Sequence, residues 1–299
     1  MRSPETTGPD GPDRGGLSHT GPIVRRVSER TVPSFDGTTI WFSDSDGDGP
    51  LVVLLHGVSM TSISNFATHF GVDADGKRAQ IPGPTIASTL REAGARVVDI
   101  DARGHGRSGL SADPDAYRGD AHVSDVTAVL DALQVDRVDL VGYSMGSFTA
   151  ARLLDREPRL RSVALCGSGP WFVDGRAEEM LASMHARGAC FQSNLWAEHP
   201  EHKAFRAYAR LDPIHDFASI GAAMIGCEAV SPERLARASV PVLVLNGADD
   251  DGDDAAAKLA RLVPGAVAVI GGTGDHGMAP SDPEFHAPLV AFLRQGWPA

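Results

Sequence analysis

Residues 142–146 read Gly142-Tyr143-Ser144-Met145-Gly146, and they constrain this chain more than any other stretch. Ahead of them lies Arg137-Val138-Asp139-Leu140-Val141, a short, largely apolar run suited to a buried strand. Behind them lies Ser147-Phe148-Thr149-Ala150-Ala151-Arg152-Leu153-Leu154, which reads as a helix. A Gly-x-Ser-x-Gly turn between strand and helix holds its serine in a strained backbone conformation. Its two glycines let neighbouring segments pass close. The hydroxyl then sits at a helix N-terminus, where backbone N–H groups can stabilise a developing negative charge. Glycine and serine are common in loops, so a plain turn competes with this reading of the pentapeptide alone. The strand before and the helix after favour a nucleophilic Ser144.

The remaining chain alternates strand and helix signals. Val24–Thr31 and Thr38–Phe42 read as paired strands around the turn at Asp36-Gly37. Leu51–Leu55 is a continuous apolar run, as expected of a central parallel strand. Further strands are expected at Arg96–Ile100, Val138–Val141, Ser162–Leu165, Val240–Leu245 and Ala266–Ile270. Helices are expected at Thr85–Ala93, with Gly94 as its stop, at Asp120–Leu133, where Val123, Val126, Val129, Leu130 and Leu133 share a face, and at Phe285–Arg294. Such alternation implies a mostly parallel sheet with helices on both faces. No internal repeat is visible. Residues 1–22 are rich in Gly, Pro, Ser, Thr and Asp, which predicts a disordered tail.

Composition narrows the function classes. A hydrophobic content of 42% supports a sizeable core, and 299 residues can hold one large α/β domain or two smaller ones. The net charge of −12 disfavours nucleic-acid and anionic-membrane surfaces as partners. Cys166, Cys190 and Cys227 are an odd set without C-x-x-C spacing, so neither a disulfide framework nor a zinc motif is expected. No apolar segment is long enough to span a membrane, and the N-terminus lacks a signal-type apolar run, which predicts a cytoplasmic protein. Asp44-Ser45-Asp46-Gly47-Asp48-Gly49 resembles the start of a calcium loop. Its closing Glu would fall at Leu55 inside a strand, so a turn is expected. The glycine-rich Asp101–Ser108 loop lacks the Lys-Ser/Thr of a phosphate-binding loop.

The order of motifs carries a resemblance. His56-Gly57 follows the third strand, Asp101-Ala102-Arg103-Gly104-His105-Gly106-Arg107-Ser108 the fourth, and the Ser144 turn the fifth. Asn246-Gly247-Ala248-Asp249-Asp250 follows a late strand, and Gly274-Asp275-His276-Gly277 the last. From Ile23 to the C-terminus the chain resembles the α/β-hydrolase superfamily, in particular its compact esterase, haloperoxidase-like and C–C-bond hydrolase members. The resemblance implies one domain over 23–299 with a small helical cap inserted at about 168–239. It implies Ser144 as nucleophile and His276 as base, in the chain order serine, acid, histidine. His56 and His105 sit in motifs that usually order loops near the site.

The acid lies in the loop crowded with Asp249, Asp250, Asp251, Asp253 and Asp254. The family spacing from Gly247 selects Asp250, with Asp249 and Asp251 as alternatives and Asp174 as a remote one. All but one of these aspartates must simply be solvated. The family pattern also implies an oxyanion hole from the backbone N–H groups of Val58 and Met145. The usual proline after the His-Gly pair is replaced by Val58-Ser59-Met60, so the loop path is open. The chain from Gly57 to Thr85 is longer than in minimal relatives; a site entrance and a tolerated surface insertion are equally good readings of it.

In the expected cap, Trp171, Phe172, Met180, Leu181, Met184, Phe191, Leu195, Trp196, Phe205, Tyr208, Met224 and Ile225 supply aromatic and apolar surface. Most should form the cap's own core, with Trp171 and Phe172 the better candidates for a substrate pocket. The implied reaction is hydrolysis of an ester, lactone or related acyl bond in a small, largely apolar metabolite, through an acyl-serine. No metal or organic cofactor is implied, and the expected partner is a small-molecule substrate. C–C bond hydrolysis, acyl transfer, perhydrolysis and a non-hydrolytic metabolite-binding role are the rivals. Substrate identity and oligomeric state stay open.

Overall fold

The computed structural model describes residues 27–76, 78–193 and 216–298, and among these described residues lie ten strands. They are β1 Ser28–Pro33, β2 Thr39–Asp44, β3 Leu51–Leu55, β4 Phe70–Val72, β5 Arg78–Gln80, β6 Arg96–Ile100, β7 Val138–Tyr143, β8 Leu160–Cys166, β9 Val242–Asn246 and β10 Val267–Ile270. The expected tail at 1–22 lies outside the described residues, as do Leu195, Trp196, Phe205 and Tyr208. Eight strands form one sheet in the order β1-β2-β6-β3-β7-β8-β9-β10. β1 and β2 run antiparallel around the Asp36-Gly37 turn, where Gly37 has φ 84°. β2 joins β6 antiparallel, and every later pair is parallel.

Side-chain alternation along the strands divides the core in two. Leu51, Val53 and Leu55 of β3, with Leu140 of β7 and Val163 of β8, pack toward helices Ala121–Leu133, Met145–Leu153 and Ala255–Ala260. Val52, Leu54, Val141 and Ala164 point to the other face, toward helices Ile86–Glu92 and Pro283–Arg294. Burial on both faces favours apolar residues at every position of a central strand, as in the unbroken hydrophobic run Leu51–Leu55. Helix Ile86–Glu92 starts on a Thr85–Ser88 capping box and stops before Gly94 at φ 100°. The insertion after β3 contains a feature absent from the sequence reading, the β4–β5 hairpin.

Between β8 and β9 lie helices Glu178–Gln192, Phe217–Ile225 and Pro232–Ala236. The first two pack against one another so closely that a Cβ on Gly188 would come within 2.5 Å of the Gly221 carbonyl oxygen. Among the described residues no helix is long and apolar enough to cross a membrane.

Buried charges set the loops. Arg103, fully enclosed, donates from Nε and Nη2 to the two oxygens of Asp125 at 2.7 Å each, and from Nη1 to Asp36 at 2.9 Å. A planar guanidinium held on two sides fixes the Asp101–Ser108 loop rigidly. In the calcium-like stretch, Asp44 accepts from Arg96 Nε at 2.9 Å and from the Asp46 N–H at 2.9 Å, so its carboxylate closes a turn.

Asp99 on β6 is different. It is buried, and the Ser43 hydroxyl donates to Oδ2 at 3.3 Å. Burial pushes its carboxyl from the ordinary value of 3.8 up to about 7, against a smaller opposing pull from Arg91. The folded protein therefore keeps a proton there that the unfolded chain has lost, and stability falls as pH rises from about 4 to 7. Asp99→Asn should melt above the wild type at pH 8, with the gap closing toward pH 4. Thermal denaturation across that range checks this, and a gap independent of pH would count against a protonated Asp99.

Candidate active site

The turn at Ser144 is built by close approach. Ser144 has φ 52° and ψ −114°, a conformation side-chain-bearing residues rarely adopt. A Cβ on Gly142 would lie 2.3 Å from the Gly146 carbonyl oxygen, and one on Gly146 would lie 2.0 Å from that of Leu55. Backbone cannot move aside as a side chain can, so both positions require glycine. The Ser144 N–H donates to the Cys166 carbonyl at 2.9 Å, and Ser147 Oγ bonds the Gly142 and Cys166 carbonyls at 2.8 Å each. Strands β7 and β8 and the following helix thus clamp the turn together.

Around Ser144 three loops converge. His276 Nε2 lies 3.0 Å from Ser144 Oγ. His276 Nδ1 lies 2.9 Å from each oxygen of Asp250. The Tyr143 hydroxyl donates to the His276 carbonyl at 2.7 Å, and its ring sits 5.3 Å from the imidazole, centroid to centroid. Asp275 Oδ1 accepts the N–H groups of Gly277 and Met278 at 3.0 and 3.1 Å, which shapes the turn carrying His276. A hydroxyl, an imidazole and a carboxylate in this line can pass the serine proton to the ring and stabilise the resulting imidazolium.

The crowded acidic loop divides into separate tasks. Only Asp250 reaches the imidazole among the described contacts of that loop. Asp251 Oδ1 instead accepts from Asn246 Nδ2 at 2.8 Å and from the Ala256 N–H at 2.7 Å, tying β9 to the start of a helix. Asp253 pairs with Lys258. Asp249 is exposed at the cavity rim. Asp174 is exposed and not among the cavity walls, and its Oδ1 accepts the Gly175 N–H.

Met145 opens helix Met145–Leu153, so its N–H belongs to a first turn without intrahelical acceptors. In the loop after β3, the Gly57 N–H donates to Asn65 Oδ1 at 2.8 Å and the Ser59 N–H donates to His105 Nε2 at 3.3 Å. Val58 lies between them and borders the same cavity as Ser144. His56 Nε2 accepts from the Ala102 N–H at 2.9 Å and its Nδ1 donates to the Gly57 carbonyl at 2.8 Å. His105 Nδ1 donates to the Arg103 carbonyl at 3.1 Å. A backbone N–H can only donate, so both buried rings are neutral braces for this loop.

A cavity of about 580 Å³ opens over these groups. Val58, Met60, Tyr143 and Pro280 give it apolar wall, while Asn65 and Asp249 give it polar wall. Met184 and Arg187, three residues apart on helix Glu178–Gln192, reach it from the insertion. Trp171 and Phe172, expected in the pocket, are not among its walls. Phe172 is fully buried, stacked on Phe148 with ring centroids 4.7 Å apart. Trp171 packs against the same core, its ring lying over Gly169. Both follow β8 directly, where the chain is still covering the sheet. Met184 belongs to the apolar set expected of the cap; the missed wall residues had weak signals, Arg187 sharing a helix face with Met184 and Asn65 lying in the insertion beside the His56-Gly57 pair.

Residues 50–181 match the family model described as alpha/beta hydrolase fold. The chain is 33% identical over 136 residues to an sn-1-specific diacylglycerol lipase, ABHD11, of Xenopus laevis, covering 45% of this chain but only 34% of that protein. It is 39% identical over 105 residues to epoxide hydrolase B of Mycobacterium tuberculosis, 35% of this chain and 24% of that one. The chain thus spans about a third and a quarter of these two relatives. Similarity to the non-heme chloroperoxidase of Streptomyces lividans, at 28% identity, extends over 88% of this chain and 99% of that one. Among solved structures, a bromoperoxidase from Bacillus anthracis superposes with a TM-score of 0.67 at 21% identity, covering 89% of this chain and all of that one, a likeness of fold.

The division of the acidic loop is testable through stability. Asp251→Ala removes an acceptor for two donors and should lower stability by about 1–2 kcal/mol. Asp249→Ala at the rim should stay within about 0.5 kcal/mol of wild type. Denaturant unfolding of both variants checks the contrast, and equal stabilities would refute it.

Proposed function

We propose that this chain, which belongs to the α/β-hydrolase superfamily, is a serine hydrolase that cleaves an ester, lactone or related acyl bond in a small metabolite. The observation that carries the reading is the line from Ser144 Oγ through His276, 3.0 Å to Nε2 and 2.9 Å from Nδ1 to Asp250. Ser144 Oγ attacks the acyl carbon while its proton passes to His276 Nε2. Asp250 holds the Nδ1–H and stabilises the imidazolium. The oxygen that becomes negative is received by the N–H groups of Val58 and Met145. His276 then protonates the leaving alkoxide, which departs and leaves an acyl-serine. Water, deprotonated by the same imidazole, releases the acid and restores the serine. Mixed apolar and polar walls suit a substrate with an apolar body and at least one polar group.

A second reading is favoured by the near full-length similarity to a chloroperoxidase. In it hydrogen peroxide replaces water on the acyl-serine, giving a peracid and free serine. Peracid formation from an ester plus peroxide, measured against hydrolysis of the same ester, distinguishes the two.

A serine-directed fluorophosphonate should label Ser144 in the folded wild type and leave Ser144→Ala and unfolded protein unlabelled. Ser144→Ala should also remove turnover across a panel of esters, thioesters and lactones. Hydrolysis within about tenfold of wild type would sink the assignment. Asp250→Asn should lower kcat by several orders of magnitude, by analogy with roughly 10⁴-fold in a serine-protease triad, while Asp249→Asn changes it little. A larger kcat loss from Asp249→Asn would show the wrong carboxylate has been chosen.

A further inference from the structure

The insertion after β3 places one amide against the loop that borders the nucleophile. Asn65 lies in a π-helical turn, Ile63–Ala67, an uncommon geometry often found at functional sites. It is buried, yet it forms part of the wall of the cavity that holds Ser144. Its Oδ1 accepts the Gly57 N–H at 2.8 Å. Because that N–H can only donate, the amide oxygen must face Gly57 and the NH₂ must face elsewhere. A Cβ on Gly57 would lie 3.3 Å from Ser144 Cβ and 3.6 Å from Asn65 Oδ1, so Gly57 adjoins both the nucleophile and the amide.

The turn is pinned on all sides. The Thr61 N–H donates to Ser64 Oγ at 2.8 Å, the Asn65 N–H to the Thr61 carbonyl at 3.0 Å, and the Ser62 N–H to Asp101 Oδ1 at 2.8 Å. Phe66 is fully buried beneath it. Farther along, the Phe70 N–H donates to Ser281 Oγ at 2.8 Å, which joins the insertion to the segment following His276. An amide so fixed is preorganised for a charge that develops beside it.

We propose that Asn65 is a catalytic residue of the oxyanion site: its Oδ1 holds the His56–Gly57 peptide through the Gly57 N–H, just ahead of Val58, and its Nδ2–H gives a further hydrogen bond to the oxygen made negative by Ser144 attack. The inference rests on the serine-hydrolase reading. It gives the insertion a chemical role in place of a merely tolerated one.

Diethyl p-nitrophenyl phosphate and its P=S analogue test it without knowledge of the substrate. Ser144 Oγ bonds to phosphorus, p-nitrophenolate leaves and is counted by its colour, and the serine proton passes to His276. The P=O oxygen stands where the oxyanion forms, and sulfur in its place is a poor hydrogen-bond acceptor. Asn65→Asp keeps the bond from Gly57 and loses the NH₂, whereas Asn65→Ala loses both. In Asn65→Asp the P=O reagent should react roughly 10²-fold slower than with wild type, and the P=S reagent should lose at least about tenfold less. A repelling carboxylate or a loosened loop would slow both reagents alike, so an unchanged P=O to P=S ratio in Asn65→Asp overturns the inference. Asn65→Ala, where it folds by thermal melt, should narrow the ratio as far. Wild-type protein that reacts with neither reagent would overturn the serine-hydrolase reading and this inference with it.

Discussion

Everything at the site depends on how closely the start of helix Met145–Leu153 presses on the end of β3. Gly146 meets the Leu55 carbonyl at a distance that leaves no room for a single extra carbon. β3 and β7 pair in parallel with Leu55 opposite Gly142, so their C-terminal ends lie side by side. The loop after β3 and the turn after β7 are therefore neighbours. His276 and Asp250 reach the site from the loops after β10 and β9, at the same end of the sheet. A parallel sheet collects the ends of its strands in this way, and ligand sites of open α/β sheets form there.

The strain at Ser144 persists because its surroundings leave it no alternative. Hydrogen bonds from Ser144 and Ser147 to β7 and β8 hold the turn from below. His105 and Asn65 hold the neighbouring loop from the side, each taking one of its buried backbone N–H groups, and His56 ties it to the Asp101–Ser108 loop through the Ala102 N–H. Arg103, locked between Asp125 and Asp36, fixes the segment on which His105 sits. Buried polar groups are costly unless fully paired, so these contacts make the loop adopt one shape.

The same logic separates wall from core. An aromatic side chain that follows a central strand is more easily spent covering the sheet than lining a cavity, and Phe172 stacked on Phe148 is that case. The segments after β3 and between β8 and β9 add Met60, Asn65, Met184 and Arg187 to cavity walls that Tyr143, Asp249 and Pro280 share. Insertions carry no obligation to cover the sheet, which leaves their side chains free to vary with the ligand.

Much of this was legible in the chain itself. The continuous apolar run Leu51–Leu55 marked β3, because burial on both faces favours apolar residues at every position. The glycines at 142 and 146 marked the turn, because no other residue fits the contacts. The motif order brought Ser144, Asp250 and His276 forward as a set, and the spacing from Gly247 preferred Asp250 in a run of aspartates that composition cannot tell apart. Tertiary structure decided the rest. It divided those aspartates between the imidazole, a helix start and solvent, since only folding determines which carboxylate faces which donor. It put Phe172 in the core and Asn65 on the wall of the Ser144 cavity, since local sequence records a residue's character but not which distant surface it meets.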